Sequence, residues 1–166
     1  VGDDVVEMIL ADHRTFGKLM RDLRDAAADR AALRAELAAL LVAHAEAEED
    51  EVYPTLRADA ATEHEVDHGE EEHAEINQAL LAFLEVEDLT GRAYEDALAE
   101  LVRVVEHHTD EEEQTLLSDA RTTLPAVERE RLGLAFRRSR RAHLDAGCGR
   151  IDNVRRLAEH TAGRIG

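Results

Sequence analysis

The sequence predicts an all-α protein, an up-down-up-down four-helix bundle over residues 1–122 with a C-terminal helical extension, residues 123–166, packed on the bundle. Three observations predict it. The 166 residues contain only two prolines and 3% aromatics among abundant Ala, Leu, Glu and Arg, a composition that favours helix nearly throughout. Apolar residues recur at helical spacing along four successive stretches. The chain also repeats itself. His44-x3-Glu48 returns as His108-x3-Glu112, with Val52 falling on Leu116 and Tyr53 on Leu117, while His13, Phe16, Gly17 and Met20 fall on His73, Ile76, Asn77 and Leu80. Such a repeat is the signature of a duplicated helical hairpin.

The first helix should run from Asp3 to Ala28, with the stripe Val6, Ile9 or Leu10, His13, Phe16 or Gly17, Met20, Leu23 and Ala27. A lone histidine in such a stripe is more often a satisfied core residue than a ligand, and Gly17 either lets a neighbouring helix approach or leaves space beside whatever His13 holds, close packing being the preferred reading. The second helix begins at Arg30 and should kink or end near Pro54, whose ring disturbs a helix interior. Its acidic run, Glu46 to Glu51, reads mostly as a solvated face. Only Glu48 shares the face of His44, whereas Glu46, Glu49 and Asp50 point elsewhere, and Tyr53 reads as packing.

A polar connection at 59–62 leads to the third helix, Glu63 to Glu87, with the stripe Val66, Gly69, His73, Ile76 or Asn77, Leu80 and Phe83 or Leu84. His64 and His68, near its start, read as surface histidines. The turn Asp88-Leu89-Thr90-Gly91 opens the fourth helix, Arg92 to Asp119, where phase and the alignment with His44 choose His108 over His107. Pro125 stands in the first turn of a fifth helix reaching Ala146, where proline is tolerated. Gly147-Cys148-Gly149 breaks it, and a sixth helix spans Ile151 to Ala162.

The net charge of -18 is unevenly placed: residues 1–124 hold 33 acids and 10 bases, residues 125–166 hold 5 acids and 10 bases. Such an acidic body should repel nucleic acid and anionic membrane surfaces, so neither is expected as a partner. The basic tail, with its cluster Arg137, Arg138, Arg140 and Arg141, is the one place an acidic protein partner would dock. Its plainer reading is an amphipathic helix folded onto its own acidic body. Cys148 stands alone, so neither an internal disulfide nor a thiolate cluster is expected. No apolar run approaches the ~20 residues of a membrane span. The start, Val1-Gly2-Asp3-Asp4, does not read as a signal peptide, and Val1 in place of methionine suggests a trimmed chain. A cytoplasmic protein is expected.

A histidine and a carboxylate four apart lie one above the other on a helix, so each His-x3-Glu is a two-ligand comb aimed one way. The residues behind His44 on its face are Leu33, Leu37 and Leu40 or Leu41, and those behind His108 are Leu101 and Val104 or Val105, so both combs point inward. An inward histidine with an inward carboxylate costs several kcal/mol unless something satisfies both, and a metal does so. Helix register brings the four histidines together. His13 and His44 lie 16 and 15 residues from Asp29, His44 and His73 lie 16 and 13 from Ala60, and His73 and His108 lie 16 and 19 from Leu89. At ~1.5 Å per residue the mismatches amount to about 5 Å or less.

The predicted metal ligands are therefore His13, His44, Glu48, His73, His108 and Glu112, with no catalytic residue expected beyond them. They exceed a four-ligand structural zinc site and suit two transition ions, each held by a histidine pair, with both glutamates able to bridge. Mixed nitrogen and oxygen ligation points to iron or manganese. A ferritin-like site needs Glu-x-x-His on two helices, but Glu65-x-x-His68 and Glu70-x-x-His73 both fall on the third.

His13, then His44-x3-Glu48, then His73, then His108-x3-Glu112 resembles the hemerythrin-like, HHE cation-binding family over about residues 5 to 120. The resemblance implies a four-helix bundle around a non-haem centre of two iron ions, oxo- or hydroxo-bridged, whose small-molecule ligand is oxygen, peroxide or nitric oxide. The sequence departs from oxygen-carrying hemerythrins at Asn77, where they have a further histidine, and at Glu112, where they have aspartate. These departures favour chemistry on small oxidants, hydrogen peroxide disproportionation before oxygen binding, over stable oxygen carriage. The alternative is an iron or oxygen sensor, or an iron-handling protein, without turnover.

Overall fold

The computed structural model describes residues 2–58 and 61–166. Among them are eight α-helices and no strand: α1 Val5–Asp22, α2 Arg30–Ala47, α3 Tyr53–Arg57, α4 Glu63–Leu84, α5 Arg92–Gln114, α6 Leu116–Thr123, α7 Ala126–Asp145 and α8 Ile151–Thr161. A π-helical turn, Glu48–Val52, joins α2 to α3, and a 3-10 turn, Ala162–Arg164, follows α8. Contacts of α1 with α2, α2 with α4, α4 with α5, and α5 with α1 close a four-membered ring. The structure is an all-α helical bundle. The turn centre placed at Ala60, and part of the polar connection that contains it, lie outside the described residues.

Each helix starts and stops for a local reason. Asp4 caps α1 by accepting from Val6 N at 2.9 Å, and Asp29 caps α2 by accepting from Ala32 N at 3.1 Å. The first helix ends at Asp22 rather than Ala28, because Asp25 Oδ1 accepts from Ala27 N and turns the chain. Arg30 then fills the loop end, donating to the carbonyls of Arg24, Asp25 and Leu89 with its guanidinium 4.4 Å from the Tyr94 ring centre. The fourth predicted helix is two. Thr115, whose hydroxyl donates back to Glu111 O at 2.8 Å, leaves helical geometry at ψ -88° and separates α5 from α6.

The apolar residues form two clusters, one built around Leu37, Leu80, Phe83, Tyr94 and Leu101, the other around Ile9, Tyr53, Val66, Leu116 and Phe136. His13, His44, Glu48, His73, His108 and Glu112 fall between them along every helix of the ring, all buried. A fully buried Leu or Phe contributes about 1.5–3 kcal/mol, so the two clusters together can carry one costly polar layer.

The basic tail lies on the acidic body. α7 packs across α1 and α2, and α8 packs on α4. Glycines permit the approach. A Cβ on Gly133 would stand 1.5 Å from Asp3 O, and one on Gly149 would stand 2.4 Å from Ala39 N. Gly147, at φ 71°, ends α7 in the left-handed conformation that lets the chain turn back. Arg129 pairs with Asp4 at 2.8 Å and Arg137 with Asp3.

Candidate metal centre

The structure brings all six predicted residues into one buried layer. Their donor atoms form two overlapping groups, His13 with His44 and Glu112, and His73 with His108, Glu48 and Glu112, each spanning at most 4.8 Å. Glu48 Oε1 stands 3.1 Å from His44 Nε2 and 3.3 Å from His73 Nε2. Glu112 Oε1 stands 3.3 Å from His13 Nε2, and its Oε2 stands 3.6 Å from His108 Nε2. Each carboxylate thus reaches one histidine of each pair, the geometry a bridge requires.

Each ring is turned by an acid on its other nitrogen. His44 Nδ1 donates to Asp12 at 2.8 Å, His73 Nδ1 to Glu49 at 3.0 Å, His108 Nδ1 to Glu72 at 3.0 Å and His13 Nδ1 to Glu113 at 3.2 Å. A carboxylate only accepts, so every Nδ1 carries a proton and every Nε2 faces inward, its lone pair free for a metal once any proton there has left. Two of these acids are held by the tail: Arg140 donates to Asp12 at 2.9 Å and Arg164 to Glu49 at 2.8 Å.

The inward atoms fit metal ions. His13 Nε2, His44 Nε2, Glu48 Oε1 and Oε2, and Glu112 Oε1 are buried and have no hydrogen-bond partner, a burden of several kcal/mol that bound cations would relieve. In the metal-free chain protons take that role in part. Burial opposes a charged His44, but the Glu48 and Asp12 carboxylates outweigh it and raise its pKa to about 10. His73 is likewise raised well above its ordinary value, against burial, by Glu48 and Glu49, and Glu48 is held well below the carboxylate range, against burial, by His44 and His73.

Three assignments are corrected. Tyr53 is not mere packing: its hydroxyl donates to Glu112 Oε2 at 2.6 Å and its ring stacks on His73 at 7°. The π turn is the reason. Tyr53 N bonds to Glu48 O, five residues back, so the extra residue swings Tyr53 toward the Glu48 face instead of half a turn away. Glu49 belongs to the site, because a residue one step round from Glu48 faces α4. Among the described residues no neighbouring helix comes within 4 Å of a Cβ placed on Gly17, which would meet only the end of Arg21 at 3.3 Å; at Gly69, by contrast, a Cβ would stand 2.8 Å from Tyr53 Oη.

Sequence reasoning missed Asp12, Glu49, Glu72, Glu113, Arg140 and Arg164. A signal for the four acids exists in the repeat: Asp12-His13 matches Glu72-His73, and Glu48-Glu49 matches Glu112-Glu113. No spacing rule points to the two arginines. His107, the competitor of His108, is about half exposed, with 53% side-chain accessibility against 4%. A cavity of about 200 Å³ runs inward past His64, His68 and Glu72 to His108 and Glu112. On another side, Phe16, Leu41, Ile76, Leu80 and Val105 enclose about 10 Å³ against His44, His73, His108 and Asn77.

A closed ring of four helices, with paired histidines and shared carboxylates in one buried layer, defines a metal-binding helical-bundle protein. Its helices supply ligand types in the order His, His-x3-Glu, His, His-x3-Glu. The chain belongs to the hemerythrin HHE cation-binding domain family, whose sequence profile matches residues 4–120. Among curated proteins and solved structures, none matches the chain. Among the described residues no helix is long and apolar enough to cross a membrane.

Proposed function

We propose that the chain is a non-haem diiron protein that reacts with small oxidants, disproportionating hydrogen peroxide and binding oxygen, with His13, His44, Glu48, His73, His108 and Glu112 as the ligands. The observation that carries this reading is that each glutamate reaches one histidine of each pair. Iron held by these six residues would supply paired redox equivalents, which match a two-electron oxidant.

The chain's own residues do the rest. The four acids behind the histidines keep every Nε2 directed at the centre, and Tyr53 fixes the Glu112 carboxylate. Asn77 stands one turn beyond His73, where oxygen carriers of this family have a further histidine. Its amide donates to Thr161 Oγ1 at 3.3 Å, so the tail holds it as an amide donor beside the centre. The apolar enclosure of about 10 Å³ lies at the lower limit for a single water, so the room for a small oxidant is the cavity of about 200 Å³ that ends on His108 and Glu112.

The test is oxygen evolution from peroxide by the iron-loaded chain, expected to exceed that of an equal concentration of free iron. A chain that leaves peroxide untouched and holds oxygen reversibly over many cycles would replace turnover with carriage or sensing.

A second reading, an iron or oxygen sensor without turnover, is supported by Arg140 and Arg164, each one carboxylate away from a histidine of the centre. It expects hydrogen exchange in α7 and α8 to differ between the oxidised and reduced protein. Identical exchange in both states removes it.

A further inference from the structure

Glu72 has one oxygen on His108 Nδ1 and a second, Oε2, that is buried without a hydrogen-bond partner. That second oxygen does not face the buried centre. It faces His107 Nε2 at 3.3 Å and His68 Nε2 at 3.8 Å, and the Glu111 carboxylate closes the group, 2.7 Å from His68 Nε2 and 3.4 Å from His107 Nε2. The four donor atoms lie within 4.8 Å of one another. His68-x3-Glu72 on α4 and His107-x3-Glu111 on α5 are combs of the same design as the buried pair, on two helices that pack together.

His68, Glu72 and Glu111 also line the cavity of about 200 Å³ that ends on His108 and Glu112. We infer that His68, Glu72, His107 and Glu111 bind one divalent first-row transition ion at the mouth of this cavity, and that ions bound there pass inward to fill the buried centre. Two imidazoles with two carboxylates suit Zn²⁺ or Fe²⁺, whereas magnesium and calcium take oxygen donors. The unsatisfied Glu72 Oε2 is what separates this group from a solvated patch: His68 and Glu111 can satisfy each other, but Oε2, on a side chain only 6% exposed, gains a partner only from a cation or a moved histidine. The inward passage rests on the buried layer being the metal centre argued above; the mouth site does not.

The test begins with the protein already loaded with iron, titrated with Zn²⁺ by calorimetry in excess Mg²⁺. The wild type is expected to take up one further Zn²⁺ per chain, and His68→Ala/His107→Ala, at two exposed positions that leave the fold intact by circular dichroism, to weaken that uptake about a hundredfold or more with unchanged iron content. A wild type that binds no further ion, or a double variant with wild-type affinity, overturns the site. Metal-free protein given Fe²⁺ without oxygen is expected to fill the centre more slowly in the double variant, to the same endpoint. Equal rates overturn the passage. Iron content and absorption of the buried centre, read on the same samples, show separately whether the diiron reading itself has failed.

Discussion

The Tyr53 hydroxyl lies 2.6 Å from Glu112 Oε2, on a tyrosine that reaches this carboxylate only because the helix carrying it widens into a π turn between Glu48 and Val52. Burial, together with Glu112 and Glu48, pushes the Tyr53 pKa well above its ordinary value, so the tyrosine is a fixed donor to Glu112.

Tyr53→Phe is expected to destabilise the metal-free chain by about 1.5–3 kcal/mol, the usual cost of removing a donor from a buried charged acceptor. Gly69→Ala should act through the same contact, since its Cβ would stand 2.8 Å from the hydroxyl. In denaturant unfolding the alanine should cost less in the Tyr53→Phe background than alone. Strictly additive losses would mean that Gly69 serves something other than Tyr53.

His108→Ala should lose at least one ion of the buried centre, and His107→Ala should keep both, because only His108 points its Nε2 inward. Metal content after dialysis reads the difference. Equal loss in both variants would contradict the register of α5.

Glu48→Ala and Glu112→Ala should each disturb both ions, because each carboxylate reaches both histidine pairs. Glu49→Ala and Glu113→Ala should retain both ions at an affinity lower by about 10- to 100-fold, the usual effect of removing a carboxylate behind a ligating histidine. A competition titration against a chelator measures this, and full wild-type affinity in Glu49→Ala would show that the His73 ring is positioned without it.

Metal uptake should release protons. In the metal-free chain His44 is raised from 6.5 to about 10, so its folded pKa exceeds its unfolded one. The stabilisation this proton provides is therefore complete below about 6.5 and is lost as the pH rises through about 10. The melting temperature of metal-free protein should fall across that window, while apparent metal affinity rises with pH. Calorimetry in two buffers of different ionisation enthalpy counts the protons, and a count of zero would contradict the charged His44.

The helical class and the six inward residues were legible because both follow from periodicity. Stripes at 3.6-residue spacing place His13 and His73 among core residues, and His-x3-Glu places two donors on one face whatever surrounds the helix. The duplication also contained the four supporting acids. A residue beside a ligand points about 100° away, at the next helix, so Asp12 reaches His44 as Glu72 reaches His108, and Glu49 reaches His73 as Glu113 reaches His13.

Which residue types share a helix face, and at what level of the bundle they stand, can be read along the chain, because both depend on distance along one segment. Meetings between segments depend on packing instead. The π turn that swings Tyr53 onto Glu112 depends on which backbone bond forms after Glu48, a choice that α-helical periodicity does not encode. Arg140 and Arg164 reach Asp12 and Glu49 across 128 and 115 residues, and that meeting follows from how α7 and α8 pack, with Gly133 and Gly149 permitting the approach. A long arginine on a basic helix can find any of several acids on an acidic body, so its partner is set by packing and not by pattern.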